Sequence, residues 1–163
     1  MMDQIELRGF EAADADWVVA RHATLYAAEE GYDDSFRSLV AQIVSDFIAR
    51  HDPAREQGWI AWGGAERLGS IFVVQDPVGP EVAKLRLVLL EPAARGTGLA
   101  QRMLERALDF ARAAGYRQMR LWTHESHRAA GRLYARNGFD LVESTPAQAF
   151  GVAVVDQIWQ RAL

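Results

Sequence analysis

Two spacings of apolar residues along the chain predict its helices and strands. Apolar residues recur at helical spacing in four segments, residues 14–28, 35–50, 98–114 and 126–137. Alternating or continuous apolar runs, which are typical of strands, occupy residues 4–8, 59–62, 68–75, 84–91, 119–123, 139–143 and 152–160. No repeat, low-complexity tract or long linker separates these segments, so we expect them to share one core.

The order of these elements predicts an α/β fold with a mixed sheet. Strands 59–62 and 68–75 flank Gly63 and Gly64 and are expected to form an antiparallel hairpin. The strand–helix–strand unit over residues 84–123 predicts a right-handed parallel crossover. The continuous apolar run 88–90 indicates a strand buried on both faces, and residues 119–123 are expected to form another buried strand. The 163 residues suit a single domain over 1–163, with a mostly antiparallel twisted sheet of about seven strands and four flanking helices.

Composition excludes several classes of protein. Cysteine is absent, which rules out disulfides, thiolate metal sites and a cysteine nucleophile. The first residues contain no basic stretch followed by an apolar run, and no segment approaches the roughly 18 uninterrupted apolar residues of a membrane span. We therefore expect a soluble cytoplasmic protein with no membrane partner.

Charge is distributed unevenly along the chain. The formal net charge is -4, yet residues 84–136 contain 11 arginines and lysines against 4 carboxylates, whereas residues 1–83 contain 6 against 15. An acidic chain argues against direct nucleic-acid binding, whose affinity comes from many phosphate contacts. The basic segment fits two interpretations: a site for a small polyanion, or arginines spread over solvated helix faces.

A turn with two glycines joins the apolar strand 84–91 to helix 98–114. Gly96 and Gly98 permit positive φ and lack a Cβ, so successive backbone N–H groups can converge on an anion at the start of the helix. A tight turn that needs glycine only for steric reasons is the alternative interpretation. The turn lacks the lysine of a P-loop and has Gln101 where a dinucleotide-binding fingerprint has its third glycine, so neither motif is present.

Two motifs in this part of the chain resemble those of the GNAT acetyltransferases. Arg95, Gly98 and Ala100 occupy the spaced positions of the R-x-x-G-x-G/A signature, and residues 128–139 resemble the A-x-x-L-Y-x-x-x-G-F stretch of the fourth helix. The order of strands and helices also resembles this family over nearly the whole chain. The segments EEGYDDSF, LWTHESHRAAGRLYARNGF and FGVAVVDQIW are similar to the acetyltransferase half of bacterial proteins that fuse a MarR-type winged helix to a GNAT domain.

The resemblance implies an acetyl-CoA-dependent N-acetyltransferase and a cofactor site. Backbone groups of the strand would hold the pantetheine arm and the acetyl carbonyl, and the turn would hold the pyrophosphate. The family often has an asparagine seven residues before its helix tyrosine, where this chain has a histidine, which cannot donate and accept from adjacent atoms as a carboxamide does. The expected cofactor-binding residues are Val88, Leu89, Leu90, Arg95, Gly96, Thr97, Gly98, Leu99, Ala100, Gln101 and His127.

The resemblance also implies that Tyr134 is the catalytic acid, which protonates the departing thiolate. A helix tyrosine that only packs against the sheet is the alternative. His124 and His127 lack the spacing of a helical metal site and no third ligand is evident, so no metal is expected. The general base stays open, because loop carboxylates are usually only solvated. The candidates are Glu29, Glu30, Glu81 and Glu91.

By resemblance, the acceptor side is formed by the end of the first helix and the turn after it, residues 26–36. Tyr26, Glu30 and Tyr32 are expected to bind the substrate, and the carboxylates of this stretch, which has no cation, favour a positively charged amine with an apolar body. A solvated acidic loop with a helix cap is the alternative. The acceptor is expected to be an amine of a small molecule or a protein, and the resemblance also allows a homodimer.

Two other functions are compatible with the sequence. A noncatalytic acyl-CoA-binding regulatory module would keep the phosphate-binding turn without transferring the acetyl group, and turnover would distinguish it from an enzyme. A transcription-associated module is suggested by the fused relatives alone, and the acidic net charge argues against it.

Overall fold

The helices and strands follow the predicted order, in a computed structural model that describes residues 4–163. The strands are β1 (Ile5–Gly9), β2 (Gln57–Gly63), β3 (Glu66–Gln75), β4 (Val82–Leu90), β5 (Gln118–His124), β6 (Asp140–Ala149) and β7 (Val152–Ala162). The α-helices are α1 (Ala15–Glu30), α2 (Asp34–Arg50), α3 (Leu99–Ala113) and α4 (Arg128–Arg136). Residues 1–3, which the expected domain over 1–163 includes, lie outside the described residues.

The sheet is mixed, as predicted, with one parallel pair. Over residues 4–163 the strand order is β1-β2-β3-β4-β5-β7-β6, and β4 with β5 is the parallel pair. A parallel pair needs a crossover connection, which α3 provides. Trp59 and Ala61 of β2 face the core under α3 and α4, whereas Ile60 between them faces Val18 of α1 and Val40 of α2. The sheet therefore has helices on both faces.

The bounds of β6 differ most from the prediction. The sequence predicted a strand over residues 139–143, whereas β6 continues to Ala149. Most of its side chains are exposed, because β6 is the edge strand of the sheet, and so no alternation of apolar and polar residues marks its second half. An edge position also tolerates Pro146, which cannot donate a ladder hydrogen bond.

The expectation that β4 is buried on both faces and that β5 is another buried strand is wrong. Val88 and Leu90 are half-buried, and the Trp122 side chain is 60% exposed. One face of these strands packs against the core under α3, where Leu85 and Leu121 are buried. The other face of β5 borders a cavity that Trp122 lines, and Val88 of β4 lines the same cavity.

A β-bulge in β4 lies beside this cavity. Leu87 and Val88 fall between two register pairs with β3 and have no partner of their own in that strand. Leu87 has a φ of 53°, which is unusual for a branched side chain. Its carbonyl accepts a hydrogen bond from the Ser70 hydroxyl at 2.7 Å, and the Val88 carbonyl accepts one from the Tyr26 hydroxyl at 3.2 Å. These side chains hold the bulge in place.

The parallel strands β4 and β5 separate close to this bulge. Pairing of β4 with β5 ends at Leu85 and Leu121, although β4 continues to Leu90 and β5 continues to His124. The β5-facing N–H and C=O groups of residues 88–90 therefore have no strand partner. Buried backbone groups almost always find a hydrogen-bonding partner, so this gap suits an extended chain that carries amide groups.

Candidate active site

A cavity of about 440 Å³ lies where β4 and β5 separate, between the sheet and helices α1 and α2. It brings together five residues that the sequence predicted for the site, from α1, the turn after it, β4, and the start and body of α4. These residues are Tyr26, Tyr32, Val88, His127 and Tyr134. Residues far apart in the chain thus meet at the separated ends of the two strands.

The turn before α3 has the conformation that its glycines predict. Gly96 and Gly98 have φ of 74° and 84°, and residues 95–98 are exposed. Gly98 is the N-cap of α3, so the N–H groups of the first helical turn have no intrahelical partner. A Cβ at Gly96 would meet no atom within 4 Å, which means that the glycine is needed for its φ and not for close packing. The turn can accept an anion from solvent.

Most side chains around this turn are engaged within the protein. Arg95 forms an ion pair with Glu29 of α1 at 3.0 Å. The amide of Gln101 exchanges two hydrogen bonds of 2.8 Å with the amide of Asn137, and the side chain of Leu99 is fully buried. An anion at the turn would therefore contact backbone N–H groups, with Arg95 as the nearby charge.

Tyr134 is a buried residue of α4 that lines the cavity. The residue is 4% exposed, its ring contacts Phe139 and Trp159, and its hydroxyl has no hydrogen bond to residues 4–163. Burial raises the pKa of this hydroxyl well above its usual range, and the neighbouring Tyr26 adds to the shift. The phenol therefore stays protonated at neutral pH and is able to donate a hydrogen bond or a proton to a group in the cavity.

A chain of hydrogen bonds runs from Tyr32 to Asp156 along one wall of the cavity. The Tyr32 hydroxyl bonds Nδ1 of His124, and Nε2 of His124 lies 3.1 Å from a carboxylate oxygen of Asp156. Since a carboxylate only accepts, Nε2 carries the proton and Nδ1 is left to accept from Tyr32. Burial, followed by the nearby Glu30, raises the pKa of Tyr32, so its hydroxyl stays neutral. Tyr32 is thus placed to pass a proton to His124.

His127 adjoins the same hydroxyl from the start of α4. Its Nε2 lies 3.2 Å from the Tyr32 hydroxyl and 3.3 Å from the Glu30 carboxylate, and its Nδ1 lies 3.2 Å from the Thr123 hydroxyl. Its ring stacks on Tyr26 with centroids 5.2 Å apart. Burial lowers the pKa of His127, which Glu30 partly offsets. Both nitrogens of His127 therefore have partners within the protein, and its expected contact with pantetheine stays a prediction.

Each carboxylate considered as the general base is paired with a cationic or imidazole side chain. The pairs are Glu29–Arg95 at 3.0 Å, Glu30–His127 at 3.3 Å, Glu81–Arg117 at 3.8 Å and Glu91–Arg21 at 2.7 Å. None of the four carboxylates is among the residues that line the cavity. Asp33 is the N-cap of α2 and accepts from the Ser35 N–H at 3.0 Å. The acidic stretch therefore does not give the cavity an acidic lining.

His22 is a further cavity residue that no sequence motif indicated. It is 2% exposed, its Nδ1 donates to the Val18 carbonyl at 2.7 Å, and its Nε2 is buried with no partner among residues 4–163. Burial lowers its pKa to about 4, so the ring is neutral at pH 7. Asp156 was likewise missed, because only the pairing of β5 with β7 brings it opposite His124.

Comparison with known proteins identifies the family to which this chain belongs. The profile of the Acetyltransferase (GNAT) family matches residues 11–139, and the chain belongs to this family. Members of the family are acetyltransferases that use acetyl-CoA. The mycothiol acetyltransferase of Geodermatophilus obscurus is 34% identical over 85 residues, which are 50% of this chain and 28% of that protein. The match thus spans well under half of the curated relative.

Solved structures confirm the predicted fold. A GCN5-related N-acetyltransferase from Kribbella flavida shares 21% identity over 100% of both chains, with a TM-score of 0.80. The yncA protein of Salmonella typhimurium, solved with its cofactor acetyl-CoA, shares 17% identity over 98% of this chain and 94% of its own, with a TM-score of 0.76. The likeness to fused MarR–GNAT proteins stays a prediction. Across residues 4–163, no helix is long and apolar enough to span a membrane.

The buried, neutral His22 predicts a loss of stability in acid. Its pKa is about 4 in the folded chain against 6.5 normally, so between these values the unfolded chain binds a proton that the folded chain does not. The free energy of unfolding should therefore fall as pH decreases, with His22 contributing about 2 kcal/mol of the change between about pH 7.5 and pH 5.

Urea denaturation of wild type and His22→Phe at these two pH values measures this contribution. The variant should lose less stability on acidification, while His51→Gln should behave like wild type. An equal loss in wild type and His22→Phe would show that His22 takes up its proton in the folded state.

Proposed function

We propose that this chain is a cytoplasmic N-acetyltransferase, a single domain over residues 1–163 that transfers an acetyl group from acetyl-CoA to a primary amine of a small molecule or a protein. The observation that carries the proposal is the separation of β4 from β5 beside the glycine turn, with the Tyr134 hydroxyl on the same cavity. A homodimer and the absence of nucleic-acid binding stay predictions.

The residues around the gap fit coenzyme A. Its pyrophosphate would lie on the N–H groups of Gly96–Gln101 at the start of α3, and its amide-containing arm would pair with backbone groups of Val88–Leu90 that have no partner in β5. The family relationship supports this placement. When bound, acetyl-CoA supplies an acetyl group activated as a thioester.

Acid and base roles follow from the hydrogen-bonding state of the cavity residues. An amine must lose a proton before it attacks a carbonyl, and the departing thiolate must gain one. Tyr134, protonated and without a partner in the described chain, is suited to donate to sulfur. Tyr32 is suited to take the amine proton while its own proton passes to His124 Nδ1, and Asp156 stabilises the resulting imidazolium. No separate glutamate base is needed.

The proposed binding of pyrophosphate by the turn before α3 is tested with Gly98→Val. A β-branched side chain strains the positive φ of 84° and blocks the approach of an anion to the helix start, so affinity for coenzyme A should fall at least tenfold by calorimetry. Gly64→Val is the matched control, because Gly64 has a φ of 62° in the β2–β3 hairpin and no atom within 4 Å of its Cβ position. Equal affinity of both variants for coenzyme A would exclude binding of the pyrophosphate at this turn.

The acid role is tested with Tyr134→Phe. With an amine found in an acceptor screen that detects free thiol, kcat should fall by roughly 10²–10⁴-fold while the affinity for coenzyme A changes little. Tyr116→Phe is the control, since Tyr116 is equally buried and its hydroxyl bonds the Arg55 carbonyl away from the cavity. Unchanged kcat in Tyr134→Phe would assign the residue to packing, and bound coenzyme A without any turnover would favour the noncatalytic module.

The proton path through Tyr32 predicts a defect that depends on pH. In Tyr32→Phe the amine can no longer pass its proton to His124, so kcat/KM should fall by roughly 10²-fold at neutral pH. The defect should shrink as pH rises toward the pKa of the amine, because the acceptor then arrives already neutral. A defect that stays constant over the whole pH range would contradict proton transfer and indicate loss of packing.

A further inference from the structure

Three cations lie together on the cavity-facing side of the sheet. Lys84 of β4 pairs in register with Arg120 of β5, so the two side chains are neighbours on one face. Arg86 lies two residues beyond Lys84 and shares that face. All three side chains are half-buried. Cations in such proximity repel one another unless an anion lies between them.

Asp76 lines a hollow together with Lys84 and Arg120, but it lies beyond ion-pair distance of all three cations. Within residues 4–163, none of the three cations forms an ion pair within 4 Å or a hydrogen bond, and the Nε of Arg120 is buried without a partner. Burial and the charges of Arg86 and Arg120 lower the pKa of Lys84. A buried donor without an acceptor destabilises the folded state. The hydrogen-bonding groups of this cluster therefore lack partners within the described chain.

The carboxylates nearest to the cluster are held by other donors. Asp76 accepts the Val78 N–H at 2.9 Å. Glu56 accepts the backbone N–H groups of Asp52 and Gln75 at 3.0 and 2.9 Å, and Asp46 forms an ion pair with Arg50 at 3.2 Å. These carboxylates act on Lys84 and Arg86 only from a distance.

The cluster lies at the end of the cavity away from the proposed reaction centre. Lys84 and Arg86 line the cavity, and an adjoining hollow of about 200 Å³ shares Lys84 and Trp122 with it and is also lined by Arg120. Along the strand, Arg86 and Lys84 precede Val88 by two and four residues, which is roughly 7 and 13 Å. Between the two ends, Trp122 offers an exposed apolar surface.

We propose that Lys84, Arg86 and Arg120 form a subsite for an anionic group, a carboxylate or a phosphate, carried by the acceptor amine. This inference rests on the proposed acetyl transfer. The amine would lie at Tyr32, the apolar body of the acceptor against Trp122, and the anion between the three cations. The preference is opposite to that expected from the acidic stretch, whose carboxylates are engaged elsewhere.

A set of amines with one linker tests the inference. The set comprises aminohexanoate, aminohexyl phosphate, hexylamine and diaminohexane. A charge-assisted hydrogen bond contributes enough to raise kcat/KM for an anionic amine about tenfold to hundredfold over hexylamine, and diaminohexane should be the poorest acceptor. The better of the two anionic amines identifies the group that the subsite takes.

Variants show whether the three cations cause this preference. Arg86→Gln and Lys84→Gln should each reduce the advantage of the anionic amine over hexylamine by tenfold or more, mainly through KM. Neither should lower the thermal midpoint of unfolding, because each relieves repulsion between cations. Arg106→Gln, an exposed arginine of α3, is the matched control and should keep the advantage. An unchanged advantage in the cavity variants, or a loss confined to variants that unfold early, would overturn the subsite.

Binding measurements keep this test separate from turnover. Calorimetry compares N-acetylaminohexanoate and the acetylated phosphate with N-hexylacetamide, which differ in the anionic group. Tighter binding of an anionic ligand that depends on Arg86 supports the subsite even in a protein that transfers no acetyl group. Equal binding of all three, or no binding of any, overturns the subsite, while acetylation of hexylamine would still uphold the proposed function.

Discussion

The end of hydrogen bonding between β4 and β5 at Leu85 and Leu121 is the constraint on which the site depends. If the two parallel strands stayed paired along their whole length, their facing N–H and C=O groups would hydrogen-bond to each other. Here the pairing stops while both strands continue, and the bulge at Leu87 turns β4 away from a regular ladder with β3. The strands thus provide a rigid frame with free backbone donors and acceptors, and α3 begins beside them with free N–H groups.

Contacts from distant segments then close the acceptor side. The turn between β6 and β7 reaches the α1–α2 turn, where the Asp33 N–H donates to the Phe150 carbonyl at 2.9 Å and the rings of Phe150 and Tyr32 have centroids 5.0 Å apart. A Cβ at Gly151 would lie 2.8 Å from the Asp33 carboxylate, so only glycine allows this approach. These contacts hold Tyr32 against His124, as the proposed proton transfer requires.

Periodicity was sufficient to predict most of the fold, and two short motifs were sufficient to predict the conformation of the glycine turn, because both are encoded locally. Helix spacing, strand runs and the glycines at 96 and 98 each depend on residues within one segment. The chain of hydrogen bonds is not local: Tyr32 and His124 are 92 residues apart, and His124 meets Asp156 only through the β5–β7 register. The second half of the edge strand β6 was not predicted for another reason, because its exposed side chains show no alternation of apolar and polar residues.

Charge is the property for which position along the chain misleads most. The sequence does contain an acidic stretch at the end of α1 and a basic segment over residues 84–136. How strongly each charge acts on a ligand depends on its burial and on whether it is paired. Glu29 forms an ion pair with Arg95 and Glu30 lies 3.3 Å from His127, whereas Lys84 and Arg86 are half-buried on the cavity without a counterion in the described chain. Half-buried cations that the fold leaves unpaired therefore act on a ligand more strongly than charges that are paired or solvated, and the sign of the net charge does not determine which acceptor fits.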